Sequence, residues 1–497
     1  MSKNATNSKQ ESDANSGIDL VPSMGGQVRI PTPYHRCTPF ELAELCKALP
    51  DNVLLLLTYE NELPEKYRAV ANAYSNIEIH DLSLFRKSIK VSGLAKTFVE
   101  SMSDTFNSIS TPLIWERSTT SIREQISLIL RGNRKSFLKG SADIALQLLQ
   151  WQNILEGIGA NLVIYASTPH GSNSWAQMNM ALGLDLPVMV ISRSAIPGFY
   201  RAYQVEGDKR LPLSTAGMSE EKRRLYRERA DRLIRALKSS YEEAMPDYEK
   251  ERALETGGGY IAVKKLVRNH WYMPFQLWNT LQSWRVLKKY SVFISDLKPN
   301  NFAVLFLHYQ PERTTVPDGG LFGAQMNALI TLRASLPSNI RLLVKEHPST
   351  FRNRCDPLAR DPDFYHKVAS IEGVDWVDIA TDNFDLIDKA LLTATITGTV
   401  ALESLVRGTP SIMFGSTFFG KSEGFLPYSD SAELDSFIVA LNERKFSRDA
   451  VSESALKMLL EEEKGVFGCE SKSFSRLKAA ALSAVFDGRI KSVEAKA

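Results

Sequence analysis

Leu391-Leu392-Thr393-Ala394-Thr395-Ile396-Thr397-Gly398-Thr399-Val400-Ala401-Leu402-Glu403 decides how this chain is read. An apolar run, Leu391–Ile396, meets a small hydroxyl-and-glycine turn. A helical pattern follows at once, Gly408-Thr409-Pro410 ends it, and a second apolar run, Ser411–Phe414, begins. This is strand, helix, strand. The turn places backbone N–H groups at a helix start, and the hydroxyls of Thr397 and Thr399 add donors around Gly398, so it reads as an anion pocket. Glu403, inside the helix, is placed to reach a ribose edge. The plainer alternative is that every such unit needs a turn and that Thr is an ordinary N-cap.

A second signature lies upstream, at Val344-Lys345-Glu346-His347-Pro348, again at the end of an apolar run. Pro348 stops the strand and drives His347 towards an extended conformation. Strand C-terminal ends face the ligand crevice of an open parallel sheet. His347 can therefore donate to a phosphate or, when protonated, act as a general acid. Lys345 and Glu346 point to opposite faces of a strand, so only one of them is expected beside the ligand. A third segment, Leu307-His308-Tyr309-Gln310-Pro311-Glu312-Arg313-Thr314-Thr315, ends the run 303–310. Glu312 is a candidate base and Arg313 a candidate phosphate clamp. In the first half, Ala166-Ser167-Thr168-Pro169-His170-Gly171 also closes an apolar run, and Ser167 and His170 are candidates for acceptor binding. Each loop also has a bland reading as a solvated turn.

Around these segments the chain alternates between apolar runs and amphipathic stretches. VLLLLTY (53–59), IEIHDL (77–82), LVIYAS (162–167) and PVMVIS (187–192) come first. IRLLVKEHP (340–348), VDWVDI (374–379) and SIMF (411–414) come later. Apolar runs without strict alternation fit strands buried on both faces, as in parallel α/β sheets. Between the two sets, residues 218–250 read as a long charged helix. Residues 260–290 mix six basic groups with Trp271, Trp278 and Trp284, which suits either a peripheral membrane contact or a helix packed between domains. The expected division is a disordered tail over 1–30, a Rossmann-like α/β domain over 31–215, a helical insertion over 216–295, a second Rossmann-like α/β domain over 296–440, and helices with a polar tail over 441–497.

The bulk numbers narrow the field. A chain of 497 residues predicts more than one domain. Net charge of +3, from 60 basic and 57 acidic residues, gives no reason to expect a nucleic-acid partner. The four cysteines, Cys37, Cys46, Cys355 and Cys469, form no CxxC pair and suit reduced thiols in the cytoplasm; no metal site is expected. The polar N-terminus reads as neither signal peptide nor membrane span. Runs such as Val53–Leu57 fall far short of the ~20 residues a spanning helix needs. Walker A, dinucleotide-binding GxGxxG, HExxH and GxSxG patterns are all missing, which lowers ATPase, oxidoreductase, zincin and serine hydrolase readings.

In the order LHYQPERTT (307–315), VKEHP (344–348) and TGTVALESLVRGTPSIMFG (397–415), the chain resembles bacterial capsular polysaccharide biosynthesis proteins, the group that includes Kdo transferases. More distantly it resembles bacterial sialyl- and polysialyltransferases. The likeness spans roughly 160 to 420, and STPHG (167–171) looks like the family's first-domain loop. The resemblance implies a GT-B-like α/β fold: two Rossmann-like domains facing a cleft, nucleotide-sugar donor on the second and glycan or glycolipid acceptor on the first. It implies a glycosyltransferase without cofactor or bound metal, using a CMP-linked acidic sugar such as Kdo or a sialic-type sugar. The enzyme would be cytoplasmic, at the inner face of the cytoplasmic membrane. Carried over by motif, His347 and Pro348 meet the donor phosphate, Thr397 and Thr399 hold it, and Glu403 sits near the ribose. The sialyltransferases carry an acid-acid-Gly motif ahead of HisPro; here Pro317-Asp318-Gly319 is its nearest match, with proline in place of one acid. Asp318 thus joins Glu312 as a candidate base, and the stereochemical course stays open. Two other readings stand beside this one: a CDP-alcohol phosphotransferase of the teichoic-acid type, and a non-catalytic partner in polysaccharide assembly or export.

Overall fold

The computed structural model describes residues 28–33, 38–49, 53–59, 62–82, 147–169, 172–206, 209–240, 285–294, 299–310, 318–351, 363–469 and 476–485, a few single positions apart. Much of 260–290, with its three tryptophans, lies outside them, as do Glu312, Arg313 and His170.

The second half of the chain forms one six-stranded parallel sheet. Its strands are β8 (Phe302–Phe306), β9 (Arg341–Lys345), β10 (Val374–Val377), β11 (Leu392–Thr395), β12 (Ser411–Met413) and β13 (Phe425–Pro427), in the order β10-β9-β8-β11-β12-β13. Numbered within the sheet, that order is 3-2-1-4-5-6, the doubly wound Rossmann arrangement. Both faces are covered, and the side chains show it. Phe302, Val304 and Phe306 of β8 enter one core, while Ala303, Leu305 and Leu307 enter the other. A strand wedged between two cores can carry no polar face, which is why this run is apolar throughout.

The first half repeats the plan. β1 (Val28–Pro33), β2 (Val53–Tyr59) and β3 (Ile77–Asp81) pair in parallel. β4 (Val163–Tyr165) pairs in parallel with β5 (Val188–Arg193). β6 (Phe199–Glu206) runs antiparallel to β5, and β7 (Lys209–Pro212) antiparallel to β6. The two groups meet at Arg29, whose carbonyl accepts from the backbone N–H groups of Asn161 and Leu162. β2 again splits its side chains, Val53, Leu55 and Leu57 to one core and Leu54 and Leu56 to the other. β1 starts at Val28, inside the stretch that composition alone assigns to a tail.

Helix packing and a returning C-terminal segment tie the halves together. The charged helix expected from 218–250 is α4 (Glu220–Lys238), following α1 (Pro39–Ala48), α2 (Glu65–Ala73) and α3 (Ser172–Gly183). Its apolar stripe, Tyr226, Ala230 and Leu237, packs into a core shared with Val400, Leu405 and Met458. The Tyr226 hydroxyl donates to the Leu459 carbonyl at 2.6 Å. Further on, the chain returns to the first half. β14 (Phe467–Gly468) pairs with β6, and the helical run 476–485 places Leu477, Ala481, Leu482 and Val485 in the core under β1 and β2. Lys478 is buried there and donates to the Pro31 carbonyl. Two Rossmann-like units with a C-terminal return to the first make the architecture GT-B-like.

Among the described residues no helix is long and apolar enough to cross a membrane, and no group of His, Cys, Asp or Glu is placed to hold a metal ion.

The two-core packing has a measurable consequence. Leu305 is fully buried, and Leu305→Ala is expected to cost about 2–5 kcal/mol of stability in urea unfolding. Ile330, 53% exposed on the same half, should tolerate alanine within about 0.5 kcal/mol.

Candidate functional site

The strand order creates the site. From β8 the chain moves outward to β9 and β10; from β11 it moves the opposite way to β12 and β13. Loops leaving neighbouring strands in opposite directions open a crevice at the strand C-terminal ends. Leu307–Gln310 follows β8 and Ile396–Thr399 follows β11, so both enter that crevice.

His308 joins them. Its Nε2 accepts from the Thr397 backbone N–H at 3.2 Å and lies 3.1 Å from the Thr395 hydroxyl. An acceptor at Nε2 puts the neutral ring's proton on Nδ1. Gly398 N–H donates to the same Thr395 hydroxyl at 3.3 Å. The His308 backbone is held by the Gln325 amide, which accepts from its N–H at 2.8 Å and donates to its carbonyl at 3.0 Å. Gln325 opens helix α5 (Gln325–Ser335), so that helix indirectly sets the turn after β11. Gly398 is required here, because a Cβ would stand 2.7 Å from the Thr395 hydroxyl oxygen. Two N–H groups that the sequence offers to an anion, those of Thr397 and Gly398, are thus committed inside the turn. Thr399 does not cap its helix, α8 (Val400–Val406), which follows α6 (Phe364–Ala369) and α7 (Asn383–Lys389). Its hydroxyl donates instead to Glu403 at 2.8 Å. Burial pushes the Glu403 carboxyl above the ordinary carboxylate range, against the pull of Thr399 and Arg407.

The end of β9 adds His347. A short 3-10 turn, Pro348–Phe351, folds back so that Ser349 N–H donates to His347 Nδ1 at 3.0 Å. The neutral ring then carries its proton on Nε2, the reverse of His308. The His347 ring packs against Tyr309, centroids 5.1 Å apart, which joins the β8 and β9 loops. Both neighbours in the motif are spent on structure. Glu346 is buried and accepts from His347 N–H, the Thr350 hydroxyl and the Tyr365 hydroxyl. Lys345 donates to the Thr381 carbonyl and to Asn383 Oδ1, stapling β9 to the start of α7. Desolvation lowers the Lys345 pKa to about 8, with Asp382 and Asp378 opposing.

Asp318 stands on the far side of the same turn. Its carbonyl accepts from Ser416 N–H at 2.9 Å. A Cβ on Gly415 would meet both Thr397 Cγ2, at 2.6 Å, and the Asp318 carbonyl, at 2.8 Å. The Asp318 carboxylate pairs with Arg210 of β7, from the first half of the molecule. The structure therefore gathers Asp318, His347, Pro348, Thr397, Gly398, Thr399 and Glu403 at the ends of β8, β9 and β11. Ser167 follows β4, where the first sheet makes its own switch between β1 and β4. Sequence reasoning overlooked His308, Gln325, Thr395 and Arg210. His308 was visible as a polar residue directly after a wholly apolar strand; Arg210 carried no such mark.

Fold and site together define a two-unit α/β protein with a doubly wound second sheet and a crevice at its switch point. No protein-family model matches the chain, and no curated protein does. Among solved structures the chain is similar to the Thermosulfurimonas dismutans beta Kdo 2,4 transferase KpsC at 15% identity, over 60% of this chain and 79% of that one, with a TM-score of 0.28. It is similar to Anabaena Alr3699/HepE in complex with UDP and glucose at 11% identity, covering 95% and 100%, TM-score 0.26. It is also similar to UDP-GlcNAc 2-epimerase from Neisseria meningitidis bound to UDP-GlcNAc at 10% identity, covering 94% and 98%, TM-score 0.22. At such values the fold assignment rests on strand order and register.

Two outcomes test the site's construction. His308→Gln keeps an acceptor near the Nε2 position, whereas His308→Phe leaves the Thr397 N–H buried without one. The Phe variant should lose about 1–3 kcal/mol and exchange its Thr397 amide hydrogen faster; the Gln variant should retain most of the protection. For Lys345, the unfolded chain binds more protons than the folded one between about pH 8 and the ordinary lysine range. Stability should therefore rise with pH across that window, and Lys345→Met should flatten the rise in urea unfolding.

Proposed function

We propose that the chain is a glycosyltransferase that takes a nucleotide-activated sugar at the crevice of its second sheet. The observation that carries this reading is the convergence of three strand ends at one switch point, with His308 locked to Thr397 and Tyr309 packed on His347. The finer reading is a CMP-linked acidic sugar, of Kdo or sialic type, transferred during capsule or surface polysaccharide synthesis. The acceptor is a glycan or glycolipid, met by the Ser167–His170 loop of the first sheet. The setting is the cytoplasm, at the inner face of the membrane, with 260–290 as the contact.

In the transfer, an acceptor hydroxyl oxygen bonds to the anomeric carbon. The bond from that carbon to the donor phosphate breaks, and its electron pair stays on the phosphate. His347 faces this phosphate through Nε2–H. Because Ser349 N–H occupies Nδ1, a doubly protonated ring would place two donors against each other, so His347 works as a hydrogen-bond donor in its neutral form. In this reading the Thr397 hydroxyl meets the phosphate as well, while Thr399 holds Glu403, which serves the ribose. The acceptor proton passes to a carboxylate, for which Glu312 and Asp318 are the candidates. Donors preset towards developing charge are worth most in a site that excludes water.

The test is a panel of CMP- and UDP-sugars scored by nucleotide release, with product mass. Release of CMP with a new glycosidic product supports the reading; turnover of UDP-hexoses alone replaces the donor class, and a phosphodiester product replaces the reaction. His347→Ala should lower kcat about 10²-fold or more, as removal of one preset oxyanion donor does.

A further inference from the structure

Arg210 reaches out of the first sheet and ends at the turn built by the second. It sits on β7, opposite Val205 of β6, and its Nη bonds Asp318 Oδ1. Asp318 is the wall of the Thr397 turn, through Ser416 and Gly415. The pair is largely shielded, at 22% and 11% side-chain exposure. An ion pair so shielded yields little net stability, because desolvation cancels much of the attraction. Its placement between two units, at the mouth of the crevice between β8 and β11, calls for another role.

The surroundings of Arg210 are polar and held in place. Tyr203, on β6, is an electrostatic neighbour of both Arg201 and Arg210. Arg201 crosses to Glu462 at 3.0 Å, and Glu462 Oε1 accepts from Gly420 N–H at 2.8 Å. Gly420 lies in the same loop as Gly415 and Ser416. That second crossing fixes β6 against the loop and so fixes where β7 delivers its guanidinium. Arg201 Nε and Glu462 Oε2 are buried without a hydrogen-bond partner among the described residues, so this face is polar beyond what its own contacts satisfy.

We propose that Arg210 is a ligand for the oxyanion of the donor: the first unit supplies a cation to a ligand seated on the second, and Asp318 holds that cation in position. The proposal rests on the nucleotide-sugar reading above. A guanidinium carries five N–H donors in a rigid fork, and Asp318 Oδ1 engages one nitrogen. The fork can keep Asp318 and still meet a phosphate or carboxylate oxygen. An ammonium, being a point charge, cannot serve both in the same geometry. An anion arriving at Thr397 adds negative charge beside Asp318, and Arg210 is the cation already there to balance it. Occupying the site would thereby tighten the link between the two units.

The experiment is calorimetric titration of the full chain with four probes: cytidine, CMP, uridine and UDP, and then with a CMP-linked acidic sugar. Arg210→Lys and the double variant Arg210→Ala/Asp318→Ala are compared with the parent, the double variant leaving no unpaired carboxylate to disturb folding; melting temperature checks that both fold. Weakening of nucleotide binding by about tenfold or more in both variants, with nucleosides unaffected, assigns Arg210 to the phosphate. Unchanged nucleotide affinity with weakened binding of the acidic sugar assigns it to the sugar carboxylate. If the parent binds nucleotides and no variant alters binding of any anionic probe, the proposal is overturned while the reading of function stands. If the parent binds no nucleotide or nucleotide sugar, both fall.

Discussion

A backbone N–H buried at the end of a strand must find an acceptor, and in this protein the acceptor is the imidazole of His308. The rest of the site follows from that bond. Thr397 N–H is held by Nε2, Thr395 shares the same nitrogen, and Gly398 is drawn in behind. His308 can do this only because its own backbone is clamped by Gln325. The chain of dependence runs from the first turn of α5, through the β8 loop, to the β11 loop. It crosses the switch point between β8 and β11. A crevice at a switch point is a hole in the packing; here a polar side chain is buried to shape its rim.

The two histidines illustrate how local backbone chemistry divides a shared side-chain type between roles. Both meet a main-chain N–H, but at opposite ring nitrogens. His308 turns its acceptor inward to the turn. His347 has its acceptor nitrogen Nδ1 satisfied by Ser349, which leaves its proton on Nε2. Neither tautomer is visible in the sequence, since both depend on where one backbone amide ends up.

Much of the architecture was legible because strands buried on both faces can be written in only one way. VLLLL at 53–57 and the run at 302–306 are apolar at every position, and each divides its side chains between two cores. Apart from β1, which lies inside the stretch assigned to a tail, the strands that escaped notice are polar or short. β6 carries Arg201 and Gln204 among its aromatics, β7 is Lys-Arg-Leu-Pro, and β13 and β14 are very short. The site was legible in outline, as three strand-end loops, and misread in detail. Lys345 looked like the ligand group of the pair because it is charged and ends a strand, yet it and Glu346 both bond neighbours distant in sequence: Thr381 and Asn383 for one, Tyr365 for the other. Arg210 illustrates the reverse. Its partner is Asp318, and no local pattern links a β-hairpin to a loop in the other half of the chain.

The return of the chain to its starting point has a consequence for synthesis. Leu477, Ala481, Leu482 and Val485 sit in the same core as Val28, Ile30 and Leu55. A core that takes side chains from both ends of a sequence cannot close while the later ones are still inside the ribosome. The second unit draws its sheet from 302–427 and is available earlier as a complete set of strands. At a synthesis rate of about 5–20 residues per second, the first unit waits many seconds with β1 and β2 only partly covered. The part of the protein made first is the last to be finished, and its exposed apolar strands are the surface most in need of a chaperone during that interval.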